Sequence, residues 1–227
     1  MKGVFILFRS KEDYQAVWNQ FLFSKRTLRT TKCNYSQWHK GRKEYAAWTI
    51  GIQSDSVQSR FDAGRAQLAK FLLEPYRRQP HVTLFVCGFL TEIERFDDDY
   101  AIGKLKCHLN ELQERGIAAF EIKIGGINSF ASAPFLEVFD IAAGIKQIRD
   151  VLSITHSEIR TGEYVPHLTL GLYSDHFETA EVAQSVSSFG PAFPITHFVN
   201  EISLITYSAF EIAGPLEVKY RIALEQR

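Results

Sequence analysis

Cysteine is scarce in this chain of 227 residues: Cys33, Cys87 and Cys107 are odd in number and widely spaced. That argues against a disulfide framework and for a reducing compartment. Net charge is missing as well, because 26 Lys and Arg balance 26 Asp and Glu, and the pI falls near 7.1. A neutral protein exerts no overall pull on nucleic acid or anionic lipid, so any site for a polyanion must be local. Long apolar runs are absent: the segment Gly3–Phe8 stops at Arg9 and Ser10, too short for a signal peptide or a membrane span. A soluble, cytoplasmic protein without a membrane partner is the expectation. The spacings HExxH and CxxC do not occur, and no linker rich in Gly, Ser or Pro divides the chain. A dedicated metal site is therefore not expected.

What is present is ordinary globular material, 45% hydrophobic, with 18 Phe and 9 Tyr that foretell an aromatic-rich interior. The chain is long enough to bury a sizeable core. Cys87, in an apolar run, reads as a small core residue. Periodicity predicts a strand over Gly3–Arg9, a helix over Asp13–Phe21 and a strand over Tyr45–Gln53. A helix over Val57–Leu73, stopped by Pro75, precedes a strand over His81–Cys87. Asp97 or Asp98 is placed to cap a helix that reaches Gln113 and ends at Gly116. Strands over Phe120–Ile127 and Phe135–Ile141, a helix over Gly144–Leu152, a further strand, a helix over Glu178–Phe189 and strands over Val199–Tyr207 and Leu216–Ala223 complete the order. This is an α+β body spanning 45–227 with an approximate internal repeat, led by a strand–helix extension over 1–44.

One short pattern occurs twice. "QPHVTLFVCGF" holds Pro80, His81, Thr83 and Leu84; "VPHLTLGLY" holds Pro166, His167, Thr169 and Leu170, with the histidines 86 residues apart. In a strand, alternate residues share a face, so His81 stands with Thr83 and His167 with Thr169, backed by aliphatic residues on the other side. Each proline fixes φ just ahead of its histidine. Two imidazoles facing one cleft suit acid–base work, since an unperturbed pKa of about 6.5 lets one accept a proton while the other donates. The two hydroxyls suit the nonbridging oxygens of a phosphoryl group. Singly, either histidine reads as a satisfied strand-end residue; as a duplicated pair they read as a phosphodiester site.

At these residues the chain resembles the 2H phosphoesterase family, which includes the bacterial RNA 2',3'-cyclic phosphodiesterases once named 2'-5' RNA ligases. The resemblance in element order covers about Tyr45–Arg227. It implies a bilobal, pseudo-symmetric α+β fold, with two mixed or antiparallel sheets around a central cleft and helices outside. It also implies catalysis without metal or cofactor: His167 as base, His81 as acid, Thr83 and Thr169 gripping phosphate. The implied partner is a nucleotide or RNA carrying a 2',3'-cyclic phosphate or a 2'-5' linkage, and no obligate protein partner. Members often carry an Arg after the second motif; here Gly171, Leu172 and Tyr173 stand there.

Other residues carry two readings. Tyr173 and Phe85 share parity with their motifs and either contact substrate or serve as structural aromatics. Phe130, in "INSFASAP", either approaches a nucleobase or closes the core; Trp48 reads as packing. Between Ser24 and Lys43 seven Lys and Arg interleave with Tyr35 and Trp38, with no acidic residue. This stretch is either a phosphate-facing lip that restores a positive rim or a solvated loop anchored by its rings. Two other functions stay open beside hydrolysis: a nucleotide-binding module without turnover, and an interaction domain whose His-x-Thr pairs only pin the sheet.

Overall fold

The computed structural model describes residues 8, 10–31, 33, 35–190 and 193–226. The strand expected over Gly3–Arg9 lies outside the described residues, Phe8 apart. A 3-10 turn at Glu12–Tyr14 leads into α1 (Gln15–Phe23), and a short α2 (Ser36–His39) precedes β1 (Glu44–Gly51). There follow α3 (Asp55–Gln67), β2 (His81–Thr91), β3 (Asp99–Ala101), α4 (Ile102–Arg115), β4 (Phe120–Ser129) and β5 (Pro134–Phe139). The chain closes through α5 (Gly144–Thr155), β6 (His167–Thr169), α6 (Thr179–Ser188), β7 (Ile195–Val199), β8 (Glu201–Ser208) and β9 (Glu217–Ala223).

The strands run in the order β7-β4-β5-β6-β2-β1-β8-β9, with β3 parallel to β2 and the other pairings antiparallel. The α+β class is as expected, but two separate sheets are not found. The halves meet edge to edge where β2 pairs β6 at Val82 and Leu168, so one continuous sheet results. Both residues of that pair are fully buried. Each such burial is worth about 1.5–3 kcal/mol, and a slip of either strand by one residue would turn its buried member into solvent and its histidine inward. Register at the centre of the molecule is thereby tied to its apolar letters.

Two turns show why particular residues stand where they do. Gly116 ends α4 at φ +53°, in the left-handed region, and a Cβ there would strike the Glu225 carboxylate. Asp97 and Asp98 do not cap α4, whose N-cap is Ala101 after the intervening β3. Asp98 and its neighbour Asp99 bind the Arg42 guanidinium instead, and Asp99 Oδ2 also accepts the backbone N–H groups of Arg95 and Phe96. An ion pair with a distant segment has taken a carboxylate that local spacing had assigned to a helix end. Among the described residues no helix is long and apolar enough to cross a membrane.

Candidate active site

β2 and β6 are neighbours at the middle of the sheet, and each opens on a histidine. His81 and Thr83 are partly exposed around fully buried Val82, as are His167 and Thr169 around fully buried Leu168. Antiparallel pairing with Val82 opposite Leu168 sets His81 across from Thr169 and Thr83 across from His167. Opposed neighbours lie about 5 Å apart, and the histidines, on the diagonal, about 7–8 Å apart. An imidazole and a hydroxyl thus flank a shared gap on both sides.

The two rings are held alike. His81 Nδ1 lies 2.8 Å from the Gln79 carbonyl and His167 Nδ1 lies 2.7 Å from the Val165 carbonyl, in both cases two residues upstream. A carbonyl can only accept, so each Nδ1 donates its proton and Nε2 of the neutral ring keeps a lone pair. Burial pushes both imidazoles down to about 4, against the opposing effect of those carbonyls; Arg78 adds to the depression at His81, and Arg160 and His81 add to it at His167. Both rings are therefore neutral at pH 7 in the empty site, and a proton on one repels a second on the other.

A buried frame supports this arrangement. β2 carries two bulges: Leu84 and Cys87 have no opposite residue on β1. The Leu84 carbonyl is taken by Arg149 Nη1, while Arg149 Nη2 pairs with Glu158 at 2.7 Å and the Glu158 carboxylate accepts the Val86 N–H. The Arg149 guanidinium stacks 3.7 Å over Tyr164, whose hydroxyl donates to the Thr83 carbonyl. On the β5 side, Pro166 has no N–H to offer, and the Tyr14 hydroxyl fills the gap. It accepts the Val138 N–H and lies 2.5 Å from the Pro166 carbonyl. Among the described residues no group of three or more His, Cys, Asp or Glu is placed to hold a metal ion.

The family described as the 2'-5' RNA ligase superfamily matches residues 54–209, more than half of the chain and both His-x-Thr strands. The chain belongs to the 2'-5' RNA ligase superfamily. This bears out the resemblance drawn from the two motifs. A search by sequence among curated proteins finds no match. Among solved structures, similarity extends to E. coli LigT complexed with 3'-AMP, at 16% identity over 81% of this chain and 99% of that one, with a TM-score of 0.55. A structure described as a phosphoesterase is 15% identical over 81% and 99%, with a TM-score of 0.54. A protein of Thermus thermophilus, TT0787, is 14% identical over 79% and 97%, with a TM-score of 0.52. At such identities the likeness speaks for the superfamily fold.

Within this superfamily member the other sequence-derived site residues scatter. Phe130 is partly buried and meets the His167 ring edge-on at 5.1 Å, so the loop after β4 does reach the motif. Phe85 does not share the face of His81 and Thr83, because the bulge at Leu84 breaks the two-residue parity; it is fully buried and packs edge-on against His108. Tyr173 is likewise fully buried, since β6 ends at Thr169 and parity lapses with it; its hydroxyl lies 2.6 Å from Ser129 Oγ. Trp48 is fully buried, as packing requires.

Tyr35 and Trp38 sit on or beside α2, which docks at the far end of β2. Trp38 packs on Tyr45 and Phe89, roughly 25 Å along the strand from His81. The Tyr35 hydroxyl donates locally to the Thr31 carbonyl. Three of the basic segment's seven cations are engaged by the body: Arg26 pairs with Glu178, Arg42 with Asp98 and Asp99, and Lys40 lies over the Phe96 ring. The arginines whose charge acts on the histidines are Arg78, on His81, and Arg160, on His167, upstream of each motif rather than after the second. Neither was singled out from the sequence, although "YRRQPH" sets Arg78 within one strand turn of His81.

Proposed function

We propose that this chain is a phosphodiesterase that opens a 2',3'-cyclic phosphate, or cleaves a 2'-5' linkage, at a nucleotide or RNA end. The observation that carries the reading is the register of β2 and β6, which supports two imidazoles and two hydroxyls around one gap. LigT, similar in fold, has been crystallised with 3'-AMP, with phosphate, with ATP and with NADP+, and a nucleotide phosphate suits the present gap equally. The halves of the sheet on either side of β2 and β6 are read as the two pseudo-symmetric lobes of such an enzyme.

In the proposed reaction, Nε2 of neutral His167 takes a proton from water as the water oxygen attacks phosphorus. His81, protonated at both nitrogens, gives its Nε2 proton to the ribose oxygen as the P–O bond breaks. Thr83 and Thr169 donate to the nonbridging oxygens as charge grows there. Turnover leaves His167 protonated and His81 neutral, and exchange with water resets both. The products are one free ribose hydroxyl and one phosphomonoester, or, from a 2'-5' linkage, two separated fragments.

Product analysis on a panel of nucleoside 2',3'-cyclic phosphates, RNA ending in a cyclic phosphate and 2'-5' dinucleotides tests this, with EDTA present. Ring opening or cleavage is expected; nucleotide binding without turnover across the whole panel would replace the proposal by a binding module.

A pH profile adds a second check. The reaction needs one protonated and one neutral imidazole, and both are pushed down to about 4 in the free protein. Raising the pH above that value removes the acid's proton, so kcat/KM is expected to fall about tenfold per unit. A bound phosphate anion favours the imidazolium and raises its pKa, so kcat is expected to hold to a higher pH than kcat/KM. A kcat/KM that stays constant between about pH 5 and pH 8 would contradict both statements.

A further inference from the structure

Strand β7 pairs with β4 only over Phe120–Ile124, and the β4–β5 register is interrupted between Ile124 and Ile127. Past that point the outer edge of β4 faces a cavity of about 620 Å³ instead of another strand. Gly125 and Asn128 of β4, Glu137 and Phe139 of β5 and Trp18 of α1 line it, with Lys11 at an exposed position. That volume suits a small organic molecule. None of His81, Thr83, His167 or Thr169 belongs to its walls, so it is separate from the gap between the motifs.

Glu137 supplies the chemistry. It is only 4% exposed, and its Oε1 accepts a hydrogen bond from the Asn128 side-chain amide at 3.0 Å. Among the described residues no Lys, Arg or His lies within ion-pair distance of the carboxylate. Burial pushes its pKa up, against the Asn128 bond, the field of Lys11 and a bond from the Gly126 N–H. A carboxylate has room for further donors, and a buried one without a counter-charge is costly. Gly125 leaves Oε2 open: a Cβ there would lie 3.0 Å from that oxygen and 2.8 Å from the Phe139 ring, so even a methyl group would crowd it. Trp18 and Phe139 bring aromatic rings to the same cavity, and ring faces attract organic cations.

We propose that this cavity is a binding site for an organic amine, whose ammonium group pairs with Glu137 Oε2 while its body packs on Trp18 and Phe139. The site is distinct from the two histidines and does not depend on the cleavage reading. A neutral ring with N–H donors would fill the acceptor positions but leave the buried charge uncompensated, so the amine is favoured over a nucleobase. Lys11 is exposed, so its own ammonium is solvated and the position beside Oε2 is left to a ligand.

The test titrates the full chain with phenethylamine, its neutral analogue 2-phenylethanol and guanosine, read by NMR, with thermal melts on the same preparations. Phenethylamine is expected to bind about tenfold or more tighter than 2-phenylethanol and to raise Tm. E137Q keeps the shape and the Asn128 contact but removes the charge, so it should erase that preference and leave 2-phenylethanol unchanged. W18L should weaken both, K11Q should bind phenethylamine at least as tightly as the wild type, and H81A should bind it equally. Equal binding of amine and alcohol, or an unchanged preference in an E137Q protein that melts like the wild type, would overturn the site. Should E137Q fail to fold, W18L decides: amine binding that it leaves untouched refutes the cavity as the location. Loss of amine binding in H81A would place the amine in the gap between the motifs and refute the proposal. Binding confined to K11Q would make Lys11 the resident counter-ion, and tighter binding of guanosine than of the amine would make the cavity a base site; either result overturns the amine.

Discussion

Replacing His81 or His167 by Ala is expected to lower the proposed phosphodiester turnover by about 10²–10⁴-fold, with the double variant little slower than either single one. The size of the effect follows from the geometry. Each ring is oriented by one carbonyl bond on Nδ1 and offers one nitrogen, Nε2, for proton transfer. Loss of either stops the paired transfer, and removing the second then costs little more. Thr83→Val and Thr169→Val remove one neutral hydrogen bond each, so a loss nearer tenfold is expected. All four side chains are only partly buried, so the variants should melt close to the wild type, which separates lost chemistry from lost fold. Steady-state kinetics and thermal melts on the same preparations decide the matter. Full activity in both histidine variants would end the two-histidine mechanism.

Replacing Arg149 by Met is expected to cost about 3–5 kcal/mol of stability. The side chain is nearly inaccessible, it donates to the Leu84 carbonyl, pairs with Glu158 and stacks on Tyr164. Removing it strands a largely buried Glu158 carboxylate and an unpaired bulge carbonyl at once. E158Q in the same chain removes the stranded charge, so the double variant should recover part of the loss. Denaturant unfolding of the wild type and three variants gives the cycle. Arg149 touches β2 one residue beyond Thr83, and Tyr164 holds the Thr83 carbonyl, so R149M should also lower kcat under conditions where it is fully folded. A loss of less than about 1 kcal/mol would show that the bulge is stabilised by other contacts.

The fold and the site were legible to different depths. The shared face of His81 with Thr83, and of His167 with Thr169, could be read because face alternation in a strand is a property of adjacent residues, and both strands are regular over those residues. The same rule failed at Phe85 and Tyr173, where a bulge and a strand end interrupt it. Neither interruption has a local signal in letters such as "TLF" or "LGL". Asp98 looked like a helix cap until Arg42, more than fifty residues earlier, was brought against it. The basic aromatic segment left two readings open, a phosphate-facing lip and a loop anchored by its rings, because its partners are not visible in the letters. In the folded chain Glu178, Asp98, Asp99 and the Phe96 ring engage three of its seven cations, Arg26, Arg42 and Lys40.

By itself, then, the sequence determined the α+β class, the duplicated Pro-His-x-Thr-Leu strands and the residue types able to move protons around a phosphate. Those features depend on neighbours a few bonds away. Only the tertiary structure decided that the two motif strands lie side by side with Val82 opposite Leu168, and that burial depresses both imidazoles to about 4. Register, burial and the pairing of charges are set by segments distant in the chain, and packing alone brings them together.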